Sequence, residues 1–100
     1  MEEKIGGRAD IIFDLTDLKI LNVIEEKNKI RITDLKEKIG LTHANLLTHL
    51  NRLFVYIKKE RDKQTIYLSL NKYGKRMRQL LQEARDIRNR AFHESEFANT

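Results

Sequence analysis

The sequence predicts a mainly α-helical protein with one small β-hairpin, in the order helix, strand, helix, helix, strand, strand, helix. Apolar residues recur at helical spacing in four segments, which begin near residues 15, 34, 43 and 72. After Leu53 the apolar period changes from 3.6 to 2, and a second alternating run over 65–70 follows the polar residues 61–64. Two alternating runs joined by a polar reversal are typical of a β-hairpin, so the predicted class is α+β.

Composition limits the kind of protein this is. The chain has 100 residues, of which 40% are hydrophobic and 35% charged, so we expect one folded domain with a heavily charged surface. It has no cysteine, which excludes disulfides, thiol nucleophiles and thiolate metal sites. No apolar run approaches the roughly 20 residues of a membrane span, and the N-terminus lacks a signal peptide. We therefore expect a cytoplasmic protein without a membrane anchor, metal or cofactor.

Charge points to an anionic partner. The chain carries 20 basic and 15 acidic side chains, a formal net charge of +5. Residues 1–50 hold 8 basic and 9 acidic side chains, whereas residues 51–100 hold 12 and 6. The whole positive surplus therefore falls in the second half, which favours nucleic acid or an acidic surface as the partner.

The first helix should begin at Thr16 as N-cap, with Asp17 complementing the helix dipole, and should end near residues 27–28. Residues 1–10 contain Gly6-Gly7 and no periodicity, which is typical of a flexible arm, so we place the domain at 11–92. Residues 30–32 alternate and are β-branched at both apolar positions, which predicts a short strand.

Two helices joined by a tight turn follow this strand. Thr33 precedes a helix over 34–39, and Gly40 is placed to end it in the left-handed conformation. Thr42 is the predicted cap of a third helix over 43–53. The predicted buried stripe of that helix is Ala44, Leu46, Leu47, Leu50 and Leu53.

The last helix is predicted over 72–92, with Asn71 as its cap and 93–100 as a tail without pattern. Six apolar residues in it are spaced 4, 3, 4, 3, 4, which is an uninterrupted heptad seam. A helix of about 20 residues is some 30 Å long, so a small monomer would leave part of this seam uncovered. We expect a two-fold dimer through Tyr73, Met77, Leu80, Leu81, Ala84, Ile87 and Ala91, although a helix folded back as core would give the same spacing.

This order of elements is the pattern of a winged helix-turn-helix, in which the third helix enters a DNA major groove and the hairpin contacts the flanking backbone or minor groove. No acidic residue lies between Gly40 and Phe54, so nothing in the third helix repels phosphate. The candidate contacts in the recognition helix are Thr42, His43, Ala44, Asn45, Thr48, His49 and Arg52.

The wing, residues 58–65, carries a dense run of charge. Alone, such a run is typical of a solvated hairpin tip, but beside a recognition helix it favours phosphate contact. The candidates are Lys58, Lys59, Arg61, Lys63 and Gln64, of which Lys58, Arg61 and Lys63 are the strongest.

Two segments resemble a known group. Residues 35–53, LKEKIGLTHANLLTHLNRL, look like the recognition segment of small archaeal and bacterial MarR- and ArsR-like regulators. Residues 67–75, YLSLNKYGK, resemble the second wing strand and the glycine-bearing start of their dimerisation helix. The resemblance implies a homodimeric transcriptional regulator that binds double-stranded DNA sequence-specifically. The family usually has a glycine and about two more residues between recognition helix and wing, whereas Leu53 here runs straight on to Ile57.

Other functions remain as alternatives. The same fold serves non-specific chromatin or architectural DNA-binding proteins, and protein-interaction modules of larger assemblies. We do not expect an enzyme, because the sequence has no phosphate loop, nucleophile elbow or dinucleotide fingerprint. His43, His49 and His93 have no carboxylate at ligand spacing. The sequence shows no signature of a small-molecule effector pocket.

Overall fold

The computed structural model describes residues 13–96, in which helices and a three-stranded antiparallel sheet surround one core. The elements are α1 (Leu15–Lys27), β1 (Ile30–Arg31), α2 (Ile32–Ile39), α3 (His43–Leu53), a 3-10 turn (Phe54–Tyr56), β2 (Ile57–Asp62), β3 (Thr65–Leu70) and α4 (Lys72–Glu94). This order confirms the predicted α+β winged helix-turn-helix class. The predicted arm at 1–10 and the predicted start of the domain at residue 11 lie outside the described residues.

The core lies between α1, α2, α3 and the inner face of the sheet. The strand order is β1-β3-β2, so the hairpin strand β3 is central, and Ile30 of β1 pairs with Leu68 of β3. Burying these side chains supplies the main driving force for folding. The core consists of Ile20, Leu21, Ile24, Ile30, Leu35, Leu46, Leu53, Leu68 and Leu70.

The first helix begins one residue before the predicted cap. Asp14, not Thr16, is the N-cap: its carboxylate accepts the backbone N–H of Asp17 at 2.8 Å. The Asp17 carboxylate in turn accepts the N–H of Asp14 at 3.1 Å. This reciprocal capping box satisfies two amides that Thr16 alone could not. The predicted C-terminal end is confirmed, because α1 ends at Lys27 and Asn28 follows with φ 67°.

The junction of β1 and α2 is tighter than predicted. The strand holds only Ile30 and Arg31, and the helix begins at Ile32 rather than after Thr33. Strand pairing stops at Arg31, which lies opposite Tyr67. No side chain caps α2, and Arg31 instead donates to the carboxylate of Asp34 from Nε at 2.9 Å.

The turn and caps around α3 are confirmed. Gly40 has φ 81°, in the left-handed region that favours glycine, and Thr42 Oγ1 accepts the N–H of Asn45 at 3.2 Å. The buried stripe is narrower than predicted: Leu46 and Leu53 are buried, but Ala44 and Leu47 are exposed. The stripe is narrow because only this side of α3 meets α1 and the 3-10 turn.

Two features of the hairpin differ from prediction. The residues after Leu53 form a 3-10 turn, so β2 begins at Ile57 rather than at Val55. The reversal is the two residues Lys63 and Gln64, since Arg61 and Asp62 still pair with Ile66 and Thr65. Lys63 takes up the left-handed conformation, with φ 60°, that such a two-residue turn requires.

The last helix is joined closely to the 3-10 turn. Asn71 caps it by accepting the N–H of Gly74 at 2.8 Å, as predicted, and also donates from Nδ2 to the carbonyl of Val55 at 2.8 Å. A β-carbon at Gly74 would overlap the carbonyl oxygen of Tyr56. Glycine is therefore required for the helix to approach this turn, and α4 runs on to Glu94, two residues beyond the predicted end.

Candidate nucleic-acid interface

The side of α3 that faces away from the core carries short polar and methyl-bearing side chains. With Leu46 and Leu53 facing the core, the 100° step per residue places Ala44, Thr48 and Asn51 on the opposite side, and all three are exposed. The Thr48 hydroxyl donates to the Ala44 carbonyl oxygen at 3.1 Å. We call this row the outer stripe; Asn45 and Leu47 lie on its two flanks.

Asn51 in the outer stripe was not among the residues that the sequence singled out. It lies three positions after Thr48 and seven after Ala44, so all three fall on one helix face. That spacing was the available signal. Asn51 was missed because the predicted buried stripe included Ala44. That assignment rotated the predicted exposed face of α3 away from the observed one.

His49 and Arg52 point towards α1. Arg52 Nη2 lies 2.9 and 3.0 Å from the two carboxylate oxygens of Asp17 and 3.3 Å from Asp14 Oδ2. His49 Nδ1 lies 2.8 Å from Asp17 Oδ1. Asp17 is fully buried, so its charge requires these partners. The prediction that His49 and Arg52 contact DNA stays a prediction, and both side chains are engaged within the fold.

This cluster also shifts pKa values. The hydrogen bond to Asp17 raises the pKa of Arg52 above its ordinary value against the opposing effect of burial. Burial on its own would raise the pKa of Asp14, but the backbone hydrogen bond from Asp17 and the charges of His49 and Arg52 hold it below its ordinary value. Both shifts favour the charged forms that join α1 to α3.

The same cluster places a histidine beside carboxylates, which sequence spacing had not suggested. Within residues 13–96, Asp14, Asp17 and His49 form one group whose possible ligand atoms lie within 4.8 Å of one another. The guanidinium of Arg52 already contacts both carboxylates there. The chain itself therefore supplies the cation that balances these carboxylates, and the group gives no reason to expect a metal site.

The wing presents its basic residues on two different faces. Lys59 lies opposite Leu68 and Arg61 opposite Ile66, so both project on the inner face of the sheet, towards α3. Lys58 lies opposite Ser69 on the outer face, which it shares with Glu60. Of the strongest sequence candidates, Arg61 lies on the side of the recognition helix, whereas Lys58 does not. Lys63 and Gln64 form the tip between the faces.

A cleft of about 510 Å³ separates α3 from the wing. His43 and Asn51 line it on the α3 side and Lys59 on the wing side, above an apolar floor. The cleft therefore joins the outer stripe to the inner face of the wing as one continuous surface. Its remaining lining residues are Ile32, Leu47, Leu50, Phe54, Ile57, Ile66 and Leu68.

The exposed side of α4 carries most of the predicted dimer residues. Tyr73, Leu80 and Ile87 are 63%, 41% and 64% exposed, Ala84 and Ala91 are also exposed, and Met77 and Leu81 are half-buried. The chain's own core covers a neighbouring face, where Arg78 Nη1 donates to Asn22 Oδ1 of α1 at 3.1 Å. An interface through the seam stays a prediction.

Comparisons with known proteins agree with this fold. A family model described as winged helix-turn-helix DNA-binding matches residues 13–53. It describes a DNA-binding domain rather than a catalytic one, in agreement with the prediction that the chain is not an enzyme. No curated protein matches the chain. No helix within residues 13–96 is long and apolar enough to cross a membrane.

Several solved structures have a similar fold. NolR from Sinorhizobium fredii has 26% identity and a TM-score of 0.65, with 83% of this chain and 86% of NolR covered. Sso10a-2, a DNA-binding protein from Sulfolobus solfataricus, has 15% identity and a TM-score of 0.70, with coverages of 87% and 94%.

A third is FabT from Streptococcus pneumoniae in complex with DNA, which has 20% identity and a TM-score of 0.63. The alignment covers 84% of this chain but only 64% of FabT, so the chain spans less than two thirds of that protein. A zinc-responsive MarR family member and an ArsR family regulator are also among the similar structures. The described residues therefore have the winged helix-turn-helix fold, which these MarR and ArsR family structures share.

Proposed function

We propose that the chain is a homodimeric regulator that binds double-stranded DNA sequence-specifically, with α3 in the major groove and the wing on the backbone. One observation carries the proposal: the outer stripe of α3 and the basic inner face of the wing form one continuous surface across the cleft. No acidic residue lies between Gly40 and Glu60, so this surface has nothing on α3 or the start of β2 that repels phosphate. FabT, which has the same fold, was solved in complex with DNA, and this supports DNA binding.

The contacts divide into base readers and phosphate anchors. Ala44, Asn45 and Thr48 are base readers, because the N-terminal part of a recognition helix meets base edges in this fold. The exposed Leu47 and Asn51 lie on the same side of α3 and are further candidates. Lys59 and Arg61, with Lys63 at the tip, are the anchors and contribute a salt-dependent affinity that is independent of sequence. Thr42, His43 and Gln64 lie at the edges of this surface, where backbone contact is expected.

The α4 helix supports the homodimer. Its 23 residues span about 34 Å, and its second half, from Arg85 to Glu94, is exposed on all sides. Leu80 and Ile87 of the seam, two helical turns apart, are 41% and 64% exposed, which leaves an apolar stripe in water that a second copy would cover. A two-fold dimer would present two α3 helices to half-sites about one helical turn apart.

A second candidate is a DNA-coating protein with little sequence preference. The hydrogen bonds between Arg52 and Asp17 favour this candidate, because they hold the only arginine of α3 away from the groove. Fewer charge-assisted base contacts reduce discrimination between sites.

Selection from random duplexes, followed by affinity measurements on the winner and on a random duplex, tests the proposal. The regulator requires the selected site to bind at least about 10³-fold more tightly. A ratio within about tenfold favours the coating protein instead. Absence of binding to any duplex at low salt would overturn both and point to a protein-interaction module.

A further inference from the structure

The recognition helix has no free cation for reading guanine. Arginine and lysine are the commonest guanine readers, and α3 contains one arginine, Arg52, and no lysine. Arg52 is held by the buried Asp17 through contacts of 2.9 and 3.0 Å. Turning Arg52 into a groove would leave that carboxylate without its strongest partner, which is costly.

The groups that remain on the groove side are methyls and carboxamides. Leu47 is 39% exposed, and Thr48 and Ala44 are exposed beside it. The Thr48 hydroxyl gives its hydrogen to the Ala44 carbonyl at 3.1 Å, so its methyl is the group left free to face outwards. Thymine alone presents a methyl group in the major groove, and apolar side chains recognise it by contact.

The carboxamides complement this methyl surface. Asn51 lies in the outer stripe next to Thr48, and Asn45 lies on its flank. An asparagine carboxamide can pair with adenine by donating to N7 and accepting from N6. His43 stands apart from this set because it lies about 100° around the helix from Ala44, outside the outer stripe, whereas Asn51, which also lines the cleft, belongs to that stripe.

We propose that α3 reads A·T base pairs, with the side chains of Thr48 and Leu47 in contact with thymine methyls and Asn51 paired with adenine. This inference rests on the proposed DNA-binding function and names the chemistry of its preferred site. G·C pairs at the contacted positions gain no charged partner from α3.

The test uses the selected duplex and copies in which thymines are replaced one at a time by deoxyuridine, which removes only the methyl group. We expect affinity to fall about fourfold at each contacted thymine, the effect of exposing one buried methyl. Replacing adenines by 7-deazaadenine removes the N7 acceptor and should weaken binding at the position that Asn51 reads. These measurements use the unmodified protein, so folding of a variant does not affect them.

Variants assign the contacts to residues. Thr48→Ser keeps the hydroxyl and its bond to Ala44 but loses the methyl, so it should bind thymine and deoxyuridine equally at one position. Thr48→Val, the matched control, keeps a methyl and should still prefer thymine there. Asn51→Ala should become insensitive to one 7-deazaadenine substitution.

The outcomes separate this inference from the function on which it rests. Specific binding with guanine at the contacted positions, or with no loss on any deoxyuridine substitution, would overturn A·T reading and leave DNA binding intact. Failure to bind any duplex would overturn both. An unchanged thymine preference in Thr48→Ser would overturn the role of Thr48.

Discussion

The guanidinium of Arg52 lies 2.9 Å from the carboxylate of Asp17 and joins the recognition helix to the first helix. Asp17 is fully buried, whereas the Arg52 side chain is one third exposed. The pair therefore fixes the orientation of α3 from one side, while the outer stripe stays open on the other.

Neutralising this carboxylate should destabilise the fold. We expect Asp17→Asn to lower the free energy of unfolding by about 3 kcal/mol, because it breaks a buried ion pair. Urea unfolding measures the change. The control is Asp34→Asn, which removes the exposed ion pair with Arg31 and should leave stability unchanged. Equal effects of the two substitutions would show that the burial of Asp17 does not increase its contribution to the free energy of unfolding.

Glycine at position 74 should be required by packing. Gly74→Ala places a β-carbon against the Tyr56 carbonyl oxygen, and we expect a loss of about 2 kcal/mol despite alanine's better helix propensity. Gly40→Ala, whose β-carbon meets nothing within 4 Å but whose φ is 81°, should cost only about 1 kcal/mol. Thermal or urea unfolding compares them, and stabilisation by Gly74→Ala would contradict the close approach.

Acid should weaken the link between α1 and α3. The pKa of Asp14 in the fold lies below its ordinary value of 3.8, so its charge contributes stability above the unfolded-state pKa. That contribution is lost as the pH falls through the lower folded-state value. Asp14→Asn keeps a good N-cap but lacks the charge, so it should be less stable than the wild type near neutral pH. Urea unfolding should show this difference narrowing below about pH 4, whereas a pH-independent difference would contradict the shift.

The dimer should depend on one face of α4. Ile87→Lys places a charge in the exposed seam and should give a single chain by sedimentation at micromolar concentration, where we expect the wild type to be a dimer. Gln79→Lys introduces the same side chain outside the seam, about 120° around the helix from its centre, and should leave the dimer intact. A wild type that sediments as one chain would remove the dimer altogether.

Local signals allowed much of the fold to be predicted. The caps Thr42 and Asn71 and the stop at Gly40 act within three or four residues, so the sequence alone locates them. At the start of α1, both Asp14 and Thr16 are residue types that cap helices. Asp14 is the N-cap because it forms reciprocal hydrogen bonds with Asp17. Sequence alone does not rank such alternatives.

The site was harder to predict because its decisive contacts are distant in sequence. Asp17 and Arg52 are 35 positions apart, so no local pattern shows that this arginine is engaged. The faces of Lys58 and Lys59 depend on where β2 begins, and the 3-10 turn after Leu53 sets that point. A strand alternates with period two, so each shift of one residue would exchange the two lysines.

These two neighbouring lysines provide the most direct test that α3 and the inner face of the wing form one DNA-binding surface. Lys58→Ala and Lys59→Ala remove the same charge from opposite faces of β2. Affinity for the selected duplex is measured for both across a salt series. Lys59→Ala should weaken binding and reduce the slope of log affinity against log salt by about one, while Lys58→Ala leaves the slope unchanged. Equal slopes for the two variants, or a loss confined to Lys58→Ala, would contradict the proposed surface.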